Sequence, residues 1–587
     1  MRNRRRIAAF GPVASLAAGS CAVAAAQVAF VDVSASSGLS GFTHSPNPLS
    51  VPGLNEWIMG GVGVGDFDGD GWPDIFVPRG GAGLDRLFMN NGDGTFTNRA
   101  PEWGVSFAHA GNGVACADFD GDGRIDIYVT SYGTALDNLG QIGRHRLYRN
   151  LGSSFVDVAP AVGVHRSATT GSVANGAAWG DFDLDGDLDL AVAGWSSTHF
   201  GNRVFRNDGG VFTEVTPPAL LSAATWGFQP AFVDMNGDGF PELLFAADFG
   251  TGRAFLNRRD GTFELATAEL GLGLDDFGMG HCIADFDRDG LPDYFVTSVH
   301  MDTPNPGMYN GNTLYMQRTD GLPFREEALK RGCSDGGWGW GVVAVDLDHD
   351  GWEDMVEVNG RNASEWANEQ EYVYRNLGDG FFERLGAATG LNLAADARAV
   401  ALIDFDRDGD MDVLILVNAG PLKLYRNDSV KVGGWLQVEL SRSEGSRVAP
   451  HGLGSVVEVR QAGAAKDGES VLRRFVHSGS GYNSSSEHLV HVGLPDAKEP
   501  VEVRVAWPSG QTTVLGPLPP NQRLAVAAPP RSDLDGDGGV GKGDAALLLA
   551  AWGETDLSDR AVRAADLDLD GIVGPRDLVI LLSDWSR

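Results

Sequence analysis

Residues 66 to 74 read Asp66-Phe67-Asp68-Gly69-Asp70-Gly71-Trp72-Pro73-Asp74, with carboxylates at positions 1, 3, 5 and 9 of a tight loop. Alternate residues of a turn can aim their oxygens at one point. A position-7 carbonyl and the last carboxylate then complete the six to eight hard ligands that calcium takes. Gly71 supplies the bend. The same spacing recurs at Asp118/Asp120/Asp122/Asp126, Asp181/Asp183/Asp185/Asp189 and Asp234/Asn236/Asp238/Glu242. It recurs again at Asp285/Asp287/Asp289/Asp293, Asp346/Asp348/Asp350/Asp354 and Asp404/Asp406/Asp408/Asp412. An ordinary Asp/Gly turn explains one such stretch, but a turn needs acids without needing this spacing.

Two further loops near the C-terminus, Asp533/Asp535/Asp537/Asp544 and Asp566/Asp568/Asp570/Asp577, are twelve residues long and end on an acid. Each precedes an apolar stretch, 545–552 and 578–585, that reads as a helix, the arrangement of half an EF-hand. Calcium is therefore the expected cofactor, about seven ions in the repeats and about two in the tail.

These loops also explain the charge. The formal net charge is −34, and most of the excess acid sits at the ligand positions just named. Acidity confined to such loops points to cation binding and away from nucleic acid, whose phosphates need a basic face. A hydrophobic fraction of 43% in 587 residues implies packed cores in more than one domain. The N-terminus carries Arg2, Arg4, Arg5 and Arg6 ahead of a small-residue apolar run to Ala26, which reads as a signal peptide over residues 1–26. No other long apolar run stands out, so the chain is expected to be secreted or at the cell surface, with no transmembrane segment. Cys21 lies in that leader, Cys116 and Cys282 read as small buried apolar residues, and Cys333 has no neighbouring His and Asn pattern that would suggest a nucleophile.

The acidic loops need elements to hold them. A small apolar run such as Gly61-Val62-Gly63-Val64 enters each loop, and a β-branched or aromatic run such as Ile75-Phe76-Val77 leaves it. A third strand follows with a recurring signature, among its copies Leu147-Tyr148-Arg149-Asn150, Val204-Phe205-Arg206-Asn207 and Val373-Tyr374-Arg375-Asn376. A glycine-rich hairpin then leads to a fourth strand. Four strands in each of seven units describe a seven-bladed β-propeller over residues 27–430. Unit seven lacks its fourth strand, and Phe30-Val31-Asp32-Val33 near the N-terminus supplies the missing text. Open strand edges are avoided, so these residues are expected to pair with the strand containing Leu424 to Arg426 and close the ring.

With these motifs in view, the repeats resemble the FG-GAP/VCBS repeats of integrin α-chain propellers. Residues 431–527 alternate as strands and are expected to form a small antiparallel β-domain. Its landmarks Gly452-Leu453-Gly454-Ser455, Ser478-Gly479-Ser480-Gly481-Tyr482 and Trp507-Pro508-Ser509-Gly510 resemble the ASPIC/UnbV domain that follows such repeats in cartilage-acidic-protein-like proteins. Residues 528–532 read as a stiff linker. Residues 533–587 resemble a type I dockerin, which implies a cohesin-like scaffold as partner and contacts at Lys542, Gly543, Pro575 and Arg576. The expected fold is thus mainly β, with a helical calcium-binding module at the C-terminus.

Two functions fit. The first is a non-catalytic calcium-dependent binding or adhesion protein, because each strong motif is a metal loop with a full ligand set, whereas a catalytic metal keeps an open position. The second is a polysaccharide lyase or hydrolase on a propeller. A ligand face, for an extracellular protein or a carbohydrate, would lie at the rim opposite the acidic loops. Its candidates are Trp57, His109, Trp195, Trp226, Phe228, His300, Trp340, Arg361 and Arg398, with His199, Asn359 and Trp366 beside them. Aromatics among polar groups suit sugars and protein hot spots, and they serve equally to pack blades.

Overall fold

In the computed structural model, which describes residues 28–46, 56–81, 83–133, 144–165, 172–195, 201–222, 225–302, 309–319, 321, 323–361, 366–462 and 469–585, each of the seven repeat loops joins two antiparallel strands in the same way. The first strand ends on the residue before position 1, as in Gly63–Gly65 ahead of Asp66. The second begins on the position-9 acid, as in Asp74–Val77. The leader, Cys21 and His199 lie outside the described residues.

Backbone conformation explains the glycines. Position 6 is glycine in all seven loops, and its φ lies between 87° and 96° throughout, where a Cβ would be strained. Position 4 is left-handed as well, and Leu184, Arg288, His349 and Arg407 accept φ values of 56° to 60° there. That strain costs an L residue about 1 kcal/mol. In the first loop the position-1 carboxylate gathers the loop amides: Asp66 accepts from the N–H groups of Gly69, Asp70 and Gly71 at 2.8, 3.1 and 2.9 Å.

Seven four-stranded antiparallel units result, six in chain order and one closed by the N-terminus. Units two and three are joined edge to edge where Ser172 and Val173 pair with Gly133 and Tyr132. The ring closes as the repeat text implies. Phe30–Asp32 pairs antiparallel with Leu422–Asn427, in the register Phe30 to Asn427, Val31 to Arg426 and Asp32 to Tyr425. Phe30 is buried in the core that Tyr425 shares.

The β-domain that follows has two sheets around a core of Leu436, Val438, Val457, Val459, Val503 and Trp507. Its sheets are not wholly antiparallel, because Gln522–Ala528 runs parallel to Gly434–Arg442. The domain docks on the rim that carries the acidic loops: Arg442 donates to the carbonyl of Gly121 at 2.5 Å and Arg473 to that of Gly290 at 3.0 Å. Gln437 Nε2 donates to Asp404 Oδ2 at 2.7 Å.

From this domain the segment 478–489 runs along the propeller axis, because it meets the innermost strand of all seven units. Val64 donates to Ser485 O at 3.0 Å, Val114 to Asn483 O at 2.9 Å and Trp179 to Ser478 Oγ at 2.9 Å. Asn483 N donates to Gln229 Oε1 at 2.9 Å, Gly481 N to His281 O at 2.9 Å and Glu487 N to Leu402 O at 3.1 Å. The Tyr482 ring sits 5.2 Å from that of Trp340, and its hydroxyl donates to Ile58 O at 2.7 Å. The glycines of Ser478-Gly479-Ser480-Gly481 fit this passage, since Gly479 and Gly481 have φ of 96° and 86°.

Three helices, Lys542–Ala550, Arg560–Ala565 and Pro575–Asp584, complete the chain around Val540, Leu548, Leu567, Val573 and Leu581. The two outer helices begin three residues earlier than their apolar text suggests. Asp544 and Asp577 thereby stand in first turns, where a carboxylate favours the helix N-terminus. The expected linker is not a free spacer. Gln511 Nε2 donates to the carbonyls of Pro530 and Asp533 at 2.8 and 2.7 Å, and Ser532 is fully buried.

Candidate metal centres and the aromatic rim

Carboxylate oxygens of Asp66/Asp68/Asp70, Asp118/Asp120/Asp122, Asp181/Asp183/Asp189, Asp285/Asp287/Asp289 and Asp346/Asp348/Asp354 each converge within 4.8 Å of one another. At position 3 the Oδ1 atoms of Asp120, Asp183, Asp287, Asp348 and Asp406 are buried and accept no hydrogen bond. The position-1 Oδ1 atoms of Asp285, Asp346 and Asp404 are in the same state. A buried carboxylate oxygen left without a donor is costly, so each of these cages fits a cation that the donors surround. The oxygen-only donor set suits a hard divalent ion. Burial pushes Asp74 up to about 8 and Asp126 up to about 9, and their loop carboxylates push the same way. A cation at the cage centre would reverse that pressure.

Position 5 lies toward the solvent in the first and seventh loops. Asp408 of the seventh loop is exposed, and its Oδ1 is occupied by the N–H of Asp410 at 2.9 Å. The reason is its place at the outer bend of the loop, next to left-handed Gly409, so it lies on the solvent lip and not within the buried set of Asp404 and Asp412. Its charge still reaches the cage: burial chiefly pushes Asp404 up to about 7, and Asp408 adds to that push. Asp70, the same position in the first loop, is exposed in the same way, and its Oδ1 accepts from Trp72 N at 2.9 Å.

Position 9 does a second job. Asp74 Oδ2 accepts from Phe67 N at 2.9 Å and its Oδ1 from Asn90 N at 2.8 Å, so it ties the loop to the third strand. The same clamp is made by Asp126, Asp189, Asp293, Asp354 and Asp412. The third-strand residue that donates its backbone N–H also donates its side-chain amide to the neighbouring unit. Asn150 Nδ2 reaches Phe67 O at 2.7 Å, Asn207 reaches Phe119 O at 3.0 Å and Asn257 reaches Phe182 O at 2.7 Å. Gln317 reaches Met235 O at 2.9 Å, Asn376 reaches Phe286 O at 2.9 Å and Asn427 reaches Leu347 O at 3.1 Å. Asn90 closes the circle onto Phe405 O at 2.9 Å.

Every acceptor in that circle is the position-2 carbonyl of an acidic loop. The signature asparagine thus couples each cage to the next blade, a role the repeat text carried without revealing. Its signal was the amide side chain, Asn six times and Gln once, at the end of every third strand.

In the C-terminal loops the position-12 acids are held by amides too. Asp544 accepts from Leu534, Asp535 and Gly541 at 2.7, 3.1 and 2.5 Å. Asp577 accepts from Leu567, Asp568 and Gly574 at 2.5, 3.0 and 2.6 Å. Asp566 Oδ1 is buried without a partner. Asp533, Asp535, Asp537, Asp568 and Asp570 are the remaining ligand positions expected in these two loops.

The opposite rim gathers rings from five units. Trp57 stands 6.3 Å from Trp195, 6.5 Å from Trp338 and 5.7 Å from Trp340, while Trp195 stands 4.7 Å from Trp226. Trp338 stands 4.9 Å from Trp366, and Phe249 and Phe277 extend the cluster. The Arg361 guanidinium lies over both Trp57 and Trp338, at 4.8 and 4.4 Å. Trp57, Trp195, Trp226, His300 and Arg361 are half-buried and can offer surface. Trp338 was missed, although the repeated Gly-Trp-Gly-Trp text at 337–340 marks it.

Five candidates are buried and do not face a ligand. Phe228, Trp340 and Arg398 are buried, because Trp340 donates to Gly360 O at 2.8 Å beneath the Arg398 guanidinium, which in turn donates to Trp57 O and Asp396. They brace the rim from inside. His109 is buried elsewhere, its Nε2 2.7 Å from Asp85 Oδ2. Asn359 is buried as well and donates to Gln370 O at 3.0 Å.

These features describe a β-propeller capped on its acidic rim by a small β-domain, and segments of both match known families. The FG-GAP-like repeat family matches residues 66–129, 181–245, 236–296 and 366–415, and the ASPIC and UnbV family matches residues 445–532. Among curated relatives the chain is similar to human cartilage acidic protein 1, 27% identical over 481 residues that cover 77% of this chain and 60% of that protein. It is also similar to chicken integrin alpha-V, 26% identical over 36% of this chain and 22% of that one. Among solved structures, a Bacillus licheniformis rhamnogalacturonan lyase overlays with a TM-score of 0.33 and 17% identity, over 65% of this chain and 75% of that one. The chain therefore spans about three-fifths of the length of the first relative it matches. No helix among the described residues is long and apolar enough to cross a membrane.

Proposed function

We propose that the chain is a secreted, calcium-loaded binding protein rather than an enzyme. Calcium in the loops holds the blades and the capping domain as one scaffold, and the aromatic rim presents the ligand surface. The observation that carries this reading is the buried, partnerless position-3 oxygen repeated in five loops. Similarity to cartilage acidic protein 1 and to an integrin alpha chain supports an extracellular binding role.

Half-exposed Trp57, Trp195, Trp226, Trp338 and Trp366 with Arg361 give flat apolar faces beside a cation, which suits an acidic glycan or an extracellular protein. The C-terminal helices offer a second contact. Leu547, Leu549, Val579 and Leu582 are 44% to 67% exposed there, beside Lys542, Gly543, Pro575 and Arg576, which fits attachment to a cohesin-like scaffold.

The test is a binding screen of the purified chain against immobilised matrix proteins and acidic polysaccharides, with reducing ends and ultraviolet absorbance followed for product release. Retention that needs calcium and that Trp195→Ala or Trp226→Ala weakens at least about ten-fold supports the reading. Turnover of a polysaccharide would replace it with the lyase or hydrolase alternative.

A further inference from the structure

The fourth loop, Asp234 to Glu242, differs from its six counterparts at the atoms that matter. Position 3 is Asn236, whose Oδ1 accepts from Asp238 N at 2.9 Å and whose Nδ2 donates to Glu242 Oε1 at 3.0 Å. Turning the amide over would set its N–H groups against the Asp238 N–H and its oxygen against the Glu242 carboxylate. The atom that faces the last ligand is therefore a donor, which cannot bind a cation.

The other carboxylates keep the loop bonds that their counterparts make, and Asp238, like Asp122 of the second loop, also takes an arginine. Asp234 accepts from Gly237, Asp238 and Gly239 at 2.8, 3.2 and 2.7 Å. Asp238 Oδ1 accepts from Phe240 N at 2.9 Å, and its Oδ2 accepts from Arg259 Nη2 at 2.8 Å. Glu242 Oε2 accepts from Met235 N at 2.8 Å. Like the more open first loop, this loop shows no partnerless buried oxygen among the described residues, whereas loops two, three, five, six and seven each keep one at position 3.

Positive charge comes instead from the protein. Arg563, buried on the middle C-terminal helix, donates from Nη1 to Asp238 O at 2.9 Å and from Nε to Pro508 O at 2.8 Å. A Cβ on Gly239 would lie 2.1 Å from Arg563 Nη2, so a side chain there would have to push the guanidinium out of its present place.

We propose that the fourth loop is a guanidinium socket and not a calcium site: Arg259 and Arg563 supply the positive charge its carboxylates need, and Arg563 anchors the C-terminal helices to the propeller through it. The inference rests on reading the other loops as calcium sites, and its test separates the two. Calcium ions per chain are counted by native mass spectrometry on the full-length protein after removal of free calcium. Asp183→Asn, in the third loop, is expected to bind one ion fewer, and Asp238→Asn to bind as many as the unaltered chain.

Loss of one ion in Asp238→Asn would overturn the socket. No loss in Asp183→Asn would overturn the calcium reading beneath it. A second measurement stands apart from loop substitutions. Arg563→Gln is expected to raise proteolytic cleavage within residues 533–585 about ten-fold in saturating calcium. An unchanged cleavage rate would show that Arg563 is no anchor and would sink the proposal.

Discussion

Replacing Asn207 tests whether the amide circle holds the blades together. Asn207 is fully buried, and its Nδ2 donates to Phe119 O at 3.0 Å and to Leu188 O at 3.1 Å while its Oδ1 accepts from Gly210 N at 2.7 Å. Asn207→Ala removes all three bonds but keeps the backbone N–H that clamps Asp189 at 2.8 Å. Two carbonyls and one N–H are left without their partner, which at about 1 kcal/mol each costs about 3 kcal/mol. Asn207→Asp keeps the shape but turns a carboxylate oxygen toward both carbonyls, so it should cost more than alanine. Urea unfolding at fixed calcium reads both values, with Asn91→Ala, an exposed hairpin asparagine, as the control. If Asn207→Ala unfolds within about 0.5 kcal/mol of the control, the circle is decoration and the coupling argument fails.

A chain that begins at Ser45 loses the closing strand with Phe30, Leu39 and Phe42, all buried, and at about 1.5 to 3 kcal/mol per side chain should be destabilised by at least about 5 kcal/mol relative to one beginning at Gln27. Equal calorimetric midpoints would contradict the closure. Tyr482→Ala should cost about 3 to 5 kcal/mol through the cavity it opens on the axis, and Tyr482→Phe about 1 kcal/mol through the bond to Ile58 O, both read by denaturant titration. Asp248, which accepts from Trp195 Nε1 at 2.9 Å, is pushed up to about 6 by burial. Its folded pKa lies above the unfolded value near 4, so its stabilising contribution is full at low pH and is lost as pH rises from about 4 to 6. Asp248→Asn should flatten that part of the stability profile, and an unchanged slope would refute the assignment.

The repeat text made the cages legible because their ligands are local: position 1 and position 9 delimit two strands wherever Asp66 and Asp74 have copies. Ring closure was legible for the same reason, since the fourth-strand text missing after Arg426 stands at Phe30. Spacing alone did not reveal that Asp408 sits on the solvent lip, because enclosure depends on what packs over the loop and not on the interval between acids. The asparagine circle was not legible either, because the partner of Asn207 is a carbonyl 88 residues away whose position depends on how blades stack. Trp340 and Arg398 read as rim residues because they begin innermost strands, yet the axial segment and neighbouring rings cover them. Nothing local in Ser478-Gly479-Ser480-Gly481-Tyr482 announces an axial plug, since the hydrogen bonds that seat it on the axis run to another domain. Docking of residues 528–532 likewise depends on Gln511, which the short Pro-rich text does not reveal.

Scanning calorimetry of the full-length chain in calcium, in chelator, and after return of calcium or magnesium tests the central claim most directly. Each loaded cage adds about 2.7 kcal/mol at a hundred-fold excess over its dissociation constant, so several together should move the midpoint by at least about 10 °C. The account predicts that drop in chelator, with recovery in calcium exceeding recovery in magnesium. A midpoint that stays within about 1 °C of the calcium value when chelator is present would contradict it.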